Sequence, residues 1–126
     1  ERIKTYVKKG YVEYVGLLSQ RQLAGLYAKA AAVMQLNLWC EPCAMVATEA
    51  QACGTPIIAT RNGYLPELIT NGENGYLVDT IDEAVEAVAK VDTITPAACR
   101  RVIEQRFSTT VMGRGYVDTY TRILNQ

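Results

Sequence analysis

Short strand signals alternate with helical stretches along most of this chain, and that alternation restricts the fold more than any single motif does. Val12-Glu13-Tyr14-Val15-Gly16 is β-branched and aromatic and reads as a strand. Ser19 follows as an N-cap, with Leu23, Leu26, Tyr27 and Ala30 at helical spacing behind it. Residues 32–39 read as a buried strand, and Met45 to Cys53 as an Ala-rich helix closed by Gly54. Pro42 sits where a first helical turn tolerates it. Residues 55–60 form the next strand, with Pro56 near its start where no ladder donor is lost. Asn62-Gly63 is a turn, Pro66 to Ile69 a short helix, and Tyr76-Leu77-Val78 a strand entered through a tight loop from Asn71 to Gly75. Thr80 with Glu83 is a capping box opening a helix to about Val91. Thr95-Pro96 opens another to about Phe107, and Ser108 caps a last one through Tyr116, Tyr120 and Leu124. Strands joined by helices predict βαβ units in a parallel α/β sheet, Rossmann-like, with an all-helical tail from about residue 92. Ligands of such sheets bind at the carboxyl ends of the strands.

The chain has 126 residues, enough for one domain, and 49% hydrophobic residues supply a core. Thirteen basic residues balance thirteen acidic ones, so nothing in the overall charge invites nucleic acid. Any phosphate site must then be local. The absence of His removes the commonest general base and a common metal ligand. No apolar run approaches the ~20 residues of a membrane span, and Glu-Arg-Ile-Lys does not open a secretory leader. The expectation is a cytoplasmic protein whose four Cys, at 40, 43, 53 and 99, are reduced thiols. Because the sequence opens abruptly inside an element, it reads as a piece of something longer.

The most informative segment is Glu41-Pro42-Cys43-Ala44-Met45-Val46-Ala47-Thr48-Glu49. Glu41 falls at a predicted strand's carboxyl end, in the loop that opens a helix. The backbone amides of Cys43, Ala44 and Met45 are the unpaired donors of that helix start, suited to a phosphate or to sugar oxygens. Glu49, eight residues on and about two helical turns away, would face the same crevice and suit a diol such as ribose. A plainer reading stands beside this one: Glu41 as an acid favoured by the helix dipole, Glu49 as a solvated side chain.

The longer string resembles one family. Glu41-Pro42, then Glu49-Ala50 through Cys53-Gly54-Thr55-Pro56-Ile57-Ile58-Ala59-Thr60, is followed by Asn62-Gly63-Tyr64-Leu65-Pro66-Glu67 and by Gly72 with Asn74-Gly75-Tyr76-Leu77-Val78. It is similar to the large family of retaining GT-B glycosyltransferases that includes glycogen, sucrose-phosphate and mannosyl transferases. The likeness extends through Arg106-Phe107-Ser108 to Tyr120. It implies the carboxy-terminal, donor-binding part of a GT-B enzyme. Sugar would pass from a nucleoside-diphosphate sugar to an acceptor hydroxyl with retention, by positioning and by stabilisation of the departing diphosphate. Glu41 would contact the donor sugar together with the amides of Cys43, Ala44 and Met45. Glu49 would hold the ribose, and Gly16-Leu17-Leu18-Ser19 would border the base. No metal and no cofactor are expected. The Arg and Lys that neutralise the diphosphate would lie upstream. A separate amino-terminal domain would bind the acceptor, a sugar or lipid-linked glycan, and could sit peripherally at the inner membrane face. The piece alone is then expected to be inactive and to bind nucleotide weakly.

Two departures from the family pattern stand out. Cys43-Ala44 replaces an aromatic residue and Gly, which narrows the approach to the backbone by one methyl. Asn62-Gly63 replaces Gly-Gly, a change Asn tolerates because it adopts left-handed angles readily. An alternative function, thioredoxin-like thiol oxidoreductase, rests on Trp39-Cys40-Glu41-Pro42-Cys43, a Cys-x-x-Cys between a strand and a helix. Against it, Pro56 follows Cys43 after a single helix. A second alternative is a binding module that kept the fold and lost turnover, with Ala44 as its cue. Tyr64, beside the turn, is the best candidate among eight Tyr for stacking on a sugar. Arg61 could reach a phosphate, whereas Arg100, Arg101 and Arg106 read as a solvated helix face.

Overall fold

The computed structural model describes residues 2–126. In chain order the elements are α1 (Arg2–Lys8), α2 (Gln20–Tyr27), β1 (Val33–Gln35), α3 (Met45–Ala52), β2 (Ile57–Thr60), α4 (Leu65–Leu68), β3 (Gly75–Val78), α5 (Ile81–Val88), a 3-10 turn (Val91–Thr93), α6 (Pro96–Arg106) and α7 (Thr109–Leu124). The strands form one parallel sheet in the order β1-β2-β3. In register, Val33, Met34 and Gln35 face Ile57, Ile58 and Ala59, which in turn face Gly75, Tyr76 and Leu77.

Side chains of a strand alternate between faces, and β2 feeds both. Ile57 and Ala59 join Leu77, Ala47 and Ala50 of α3, Tyr27 of α2, and Leu65 and Leu68 of α4 in one core. Ile58 points the other way, into a smaller cluster with Val78, Ala84, Ala87 and Val91. Small residues on α3 and α5 let both helices approach the sheet closely. The expected α/β architecture, helices over both faces of a parallel sheet, is the one observed.

Local sequence chemistry explains most boundaries. Ser19 and Gln22 form a full capping box: the Gln22 amide donates to Ser19 Oγ, and the Ser19 amide to Gln22 Oε1 at 3.0 Å. Thr80 accepts from the Glu83 amide as expected, but the Glu83 carboxylate reaches one residue further back, accepting from the Asp79 amide at 2.7 Å. Thr95 and Ser108 cap α6 and α7. Gly54, with φ +90°, ends α3.

Three expectations need correction. Residues 12–16 are not a strand: Tyr14 is 85% exposed, and no neighbour pairs with the segment among the described residues. β propensity without a ladder partner leaves the backbone to water. The strand expected over residues 32–39 lasts only from Val33 to Gln35, because the chain then leaves the sheet and the Asn37 carbonyl accepts from Thr60 Oγ1 at 2.9 Å. The helix after Thr80 stops at Val88, and a 3-10 turn follows.

The loop before β3 is held by a buried polar pair. Asn74 and Gln51 are both fully buried. Asn74 Nδ2 donates to Gln51 Oε1 at 3.0 Å and to the Leu68 carbonyl at 2.9 Å, while its Oδ1 accepts from the Thr70 amide at 2.8 Å. Gln51 Nε2 donates back to the Asn74 carbonyl. One side chain thus ties α3, α4 and the β3 entry together. Asn74→Ala leaves two buried groups, Gln51 Oε1 and the Leu68 carbonyl, and the part-buried Thr70 amide without partners, and is expected to cost about 3 kcal/mol, read as a lower midpoint in urea unfolding.

Candidate functional site

The loops leaving the three strands at their carboxyl ends meet at one edge of the sheet. Glu41, six residues beyond the end of β1, joins the loop after β1 to the loop after β2. Its carboxylate accepts from the Ala44 amide at 3.3 Å through Oε1, and from Asn37 Nδ2 at 3.2 Å and Trp39 Nε1 at 3.3 Å through Oε2. Its carbonyl accepts from the Tyr64 amide at 2.8 Å. Two lone-pair sites on a carboxylate oxygen mean that Oε2 is spent on the protein while Oε1 keeps one acceptor position open.

Gly63 makes that packing possible. It has φ +56°, and a Cβ there would collide with the backbone N and O of Glu41 and the carbonyl carbon of Cys40. Only glycine lets the β2–α4 loop lie this close, and only glycine takes that backbone angle without strain. Cys40 adds a side-chain link between the two loops, its Sγ donating to Asn62 Oδ1 at 3.4 Å.

The amides expected to be free are only partly so. Ala44's is taken by Glu41, whereas those of Cys43 and Met45 make no hydrogen bond among the described residues. Pro42 and Cys43 precede the helix instead of opening it, because α3 begins at Met45. Ala44 caps it in a left-handed conformation, φ 46° and ψ 46°, the one non-glycine residue with positive φ among those described. That angle costs a residue with a Cβ roughly 1 kcal/mol or more. The position demands a backbone angle that glycine takes freely, and this, not a methyl narrowing the approach, is what the replacement of glycine brings. Ala44 is itself buried, so its methyl lies in the core and not in the crevice.

Glu49 lies in the second turn of α3, exposed, on the side that faces α2. There it lines a cleft of about 300 Å³ with Gln20, Leu23, Tyr27 and Cys53. Glu41 is not among the residues that line this cleft. A left-handed residue between Glu41 and Glu49 replaces the straight two-turn helix that the spacing suggested. Burial above all, then the nearby Glu49 carboxylate and Cys53, raise the Tyr27 hydroxyl above its usual pKa. Ser19 caps α2 at the rim, directly before Gln20; Gly16 has φ +69°, Leu17 is fully exposed and Leu18 half-buried.

Other candidates have structural work. Tyr64 packs edge-on against Phe107, with centroids 6.0 Å apart, joining α4 to the end of α6. Arg61 pairs with Asp79 at 3.2 Å and donates to the Leu77 carbonyl. The basic residues of α6 form an exposed face, as expected, and two of them also reach backbone carbonyls. Arg100 donates to the Cys53 carbonyl and Arg106 to the Glu67 carbonyl at 2.7 Å. Asn37 and Trp39, which orient Glu41, were not singled out as site residues from sequence. Their spacing of four and two residues from Glu41 carries no recognisable signal without the loop's shape.

A parallel sheet covered on both faces, with an acid-bearing loop at its carboxyl edge, is the Rossmann-like arrangement of GT-B glycosyltransferases. The chain belongs to the glycosyl transferases group 1, whose family model matches residues 1–105. A probable sucrose-phosphate synthase from Thermosipho melanesiensis is 35% identical over 105 residues, covering 78% of this chain and 25% of that protein. Among solved structures, a sucrose-phosphate synthase from Thermosynechococcus elongatus superposes with a TM-score of 0.76 at 27% identity, covering 98% of this chain and 34% of that one. AviGT4, a glycosyltransferase involved in avilamycin A biosynthesis, gives 0.76 at 28% identity, covering 98% and 40%. The chain thus spans a quarter to two-fifths of these proteins.

Gly63→Ala forces the two loops apart. We expect a loss of about 2 kcal/mol or more from backbone collision and a strained angle, measured as a shift in the urea midpoint with secondary structure retained by circular dichroism.

Proposed function

We propose that this chain is the carboxy-terminal part of a nucleotide-sugar-binding domain, with the helices from about residue 92 closing it, in an enzyme that transfers a sugar from a nucleoside-diphosphate sugar to an acceptor hydroxyl. The observation that carries this reading is the Glu41 loop. Its carboxylate is fixed by Ala44, Asn37 and Trp39 at the sheet's carboxyl edge, with one acceptor position on Oε1 and the Cys43 and Met45 amides unpaired beside it. An acceptor next to free donors is what a polyol attached to a phosphate requires.

In this reading Glu41 and the amides of Cys43, Ala44 and Met45 hold the donor sugar and its distal phosphate. The Ala44 amide reaches the donor only by exchanging its bond with Glu41. Glu49 accepts from the ribose hydroxyls at the mouth of the α2–α3 cleft, and Gly16 to Ser19 border the base beyond it. The free amides stabilise charge as the diphosphate departs, without a protein nucleophile, a metal or a cofactor. We propose retention of anomeric configuration and a cytoplasmic setting. The acceptor, a sugar or lipid-linked glycan, belongs to a domain outside this chain, so the chain by itself should bind donor weakly and not turn over. Among the described residues no helix is long and apolar enough to cross a membrane.

The test is calorimetric titration of UDP-, GDP- and ADP-sugars into the intact protein that carries this chain. Glu49→Ala is expected to weaken binding of the preferred donor about tenfold to a hundredfold, the loss of hydrogen bonds to a charged group. Unchanged affinity overturns the ribose assignment, and binding without transfer points to the module that lost turnover.

A further inference from the structure

Two thiols flank Glu41 inside the proposed donor loop, and sugar transfer has no use for either. Cys40 and Cys43 are both exposed and free. The other two cysteines differ. Cys53 is half-buried against the main core, and Cys99 is buried, its thiol pushed up to about 11 chiefly by desolvation. Reactive access is thus concentrated on the pair that brackets the site acid.

The loop between them is short and curled. Only Glu41 and Pro42 separate the thiols, the chain bends at Pro42 and Cys43, and the Ala44 amide folds back onto Glu41 Oε1. A disulfide needs the two Cα atoms within about 7 Å, which a bent segment of this length allows and a straight one does not. Cys40 presently donates its S–H to Asn62 Oδ1, so its sulfur is part of the contact that couples this loop to the next.

We propose that Cys40 and Cys43 are a redox modification site: a reversible disulfide between them switches off the donor site that Glu41 organises. The switch rests on the donor-binding reading of that loop. The oxidant is a low-molecular-weight disulfide such as oxidised glutathione. A thiolate of the pair attacks one of its sulfurs, releasing one glutathione thiolate and forming a mixed disulfide. The second protein thiol, losing its proton, attacks the protein sulfur of that mixed disulfide and expels the second glutathione. The protein gives up two electrons and two protons, and the oxidant becomes two thiols.

The consequence for Glu41 follows from its packing. Its backbone cannot retreat towards the β2–α4 loop, because the space at Gly63 is filled. Closing the ring therefore falls on Glu41, Pro42 and Cys43 themselves. The carboxylate is held by three contacts of 3.2 to 3.3 Å, each long for a charge-assisted bond, and the Cys43 amide is held by nothing. Oxidation also removes the S–H that binds Asn62, freeing the neighbouring loop. Acceptor and donors for the sugar then lose their common orientation.

The experiment treats the intact protein with oxidised glutathione, maps disulfides by peptide mass spectrometry, and titrates the preferred sugar nucleotide before and after. The expected result is a Cys40–Cys43 linked peptide two hydrogens lighter, with donor affinity reduced about tenfold, the loss of one hydrogen bond to a charged group. Dithiothreitol should restore it. Cys40→Ser keeps a donor for Asn62 and cannot form the bridge, so its donor affinity should not respond to oxidation. Mixed disulfides on single cysteines, without the linked peptide, overturn the proposal. So does a linked peptide with unchanged affinity, or a Cys40→Ser protein that loses affinity equally. If the reduced protein binds no sugar nucleotide, the donor-site reading fails and the switch with it, while the linked peptide still reports whether the bridge forms.

Discussion

Burial of β2 on both faces is the constraint from which the rest of this structure follows. Ile57, Ile58 and Ala59 have no exposed surface, and each strand beside β2 is parallel to it. A strand with two apolar faces must be covered twice, so α3 and α4 cover one side and α5 the other. Parallel pairing also requires every connection to cross from the carboxyl edge back to the amino edge. That requirement gathers the loops after β1, β2 and β3 at one edge. The candidate site exists there because the sheet is parallel.

Within that edge, close backbone approach does what side chains alone could not. The Tyr64 amide on the Glu41 carbonyl, with Gly63 bare between the loops, locks the β1–α3 connection onto the β2–α4 connection. The cost appears next door, where Ala44 is held left-handed so that its amide can turn towards the carboxylate. Strain of this kind persists where the surrounding packing over-determines the backbone, and here Ala44's methyl is buried in the main core. On the donor-binding reading proposed for this loop, the geometry is a fixed acceptor beside free amides.

The tail after β3 is more than a covering. Cys99 and Val102 of α6 are buried, and Arg100 and Arg106 tie that helix to the end of α3 and to α4. Tyr64 and Phe107 add an aromatic contact between α6 and the turn at the site. Sequence patterning marks basic side chains on a helix, but not whether a carbonyl lies within their reach. Arg100, Arg101 and Arg106 are exposed as their spacing implied, and only the packing adds the carbonyl contacts of Arg100 and Arg106.

Local chemistry in the sequence determined the elements with strong punctuation. Ser19, Gly54, Thr95-Pro96 and Ser108 mark ends that caps and backbone angles set within a few residues, and the apolar run at Ile57 marks the central strand. The same locality made the two acids and the family string visible. Tertiary structure alone decided whether β propensity at residues 12–16 became a strand, since a ladder needs a partner that propensity does not supply. It also decided that Glu49 lines the α2–α3 cleft, and that Ala44, Asn37 and Trp39 hold the Glu41 carboxylate. Those facts depend on a left-handed turn and on two loops in backbone contact, and both arise from packing between segments far apart in the chain.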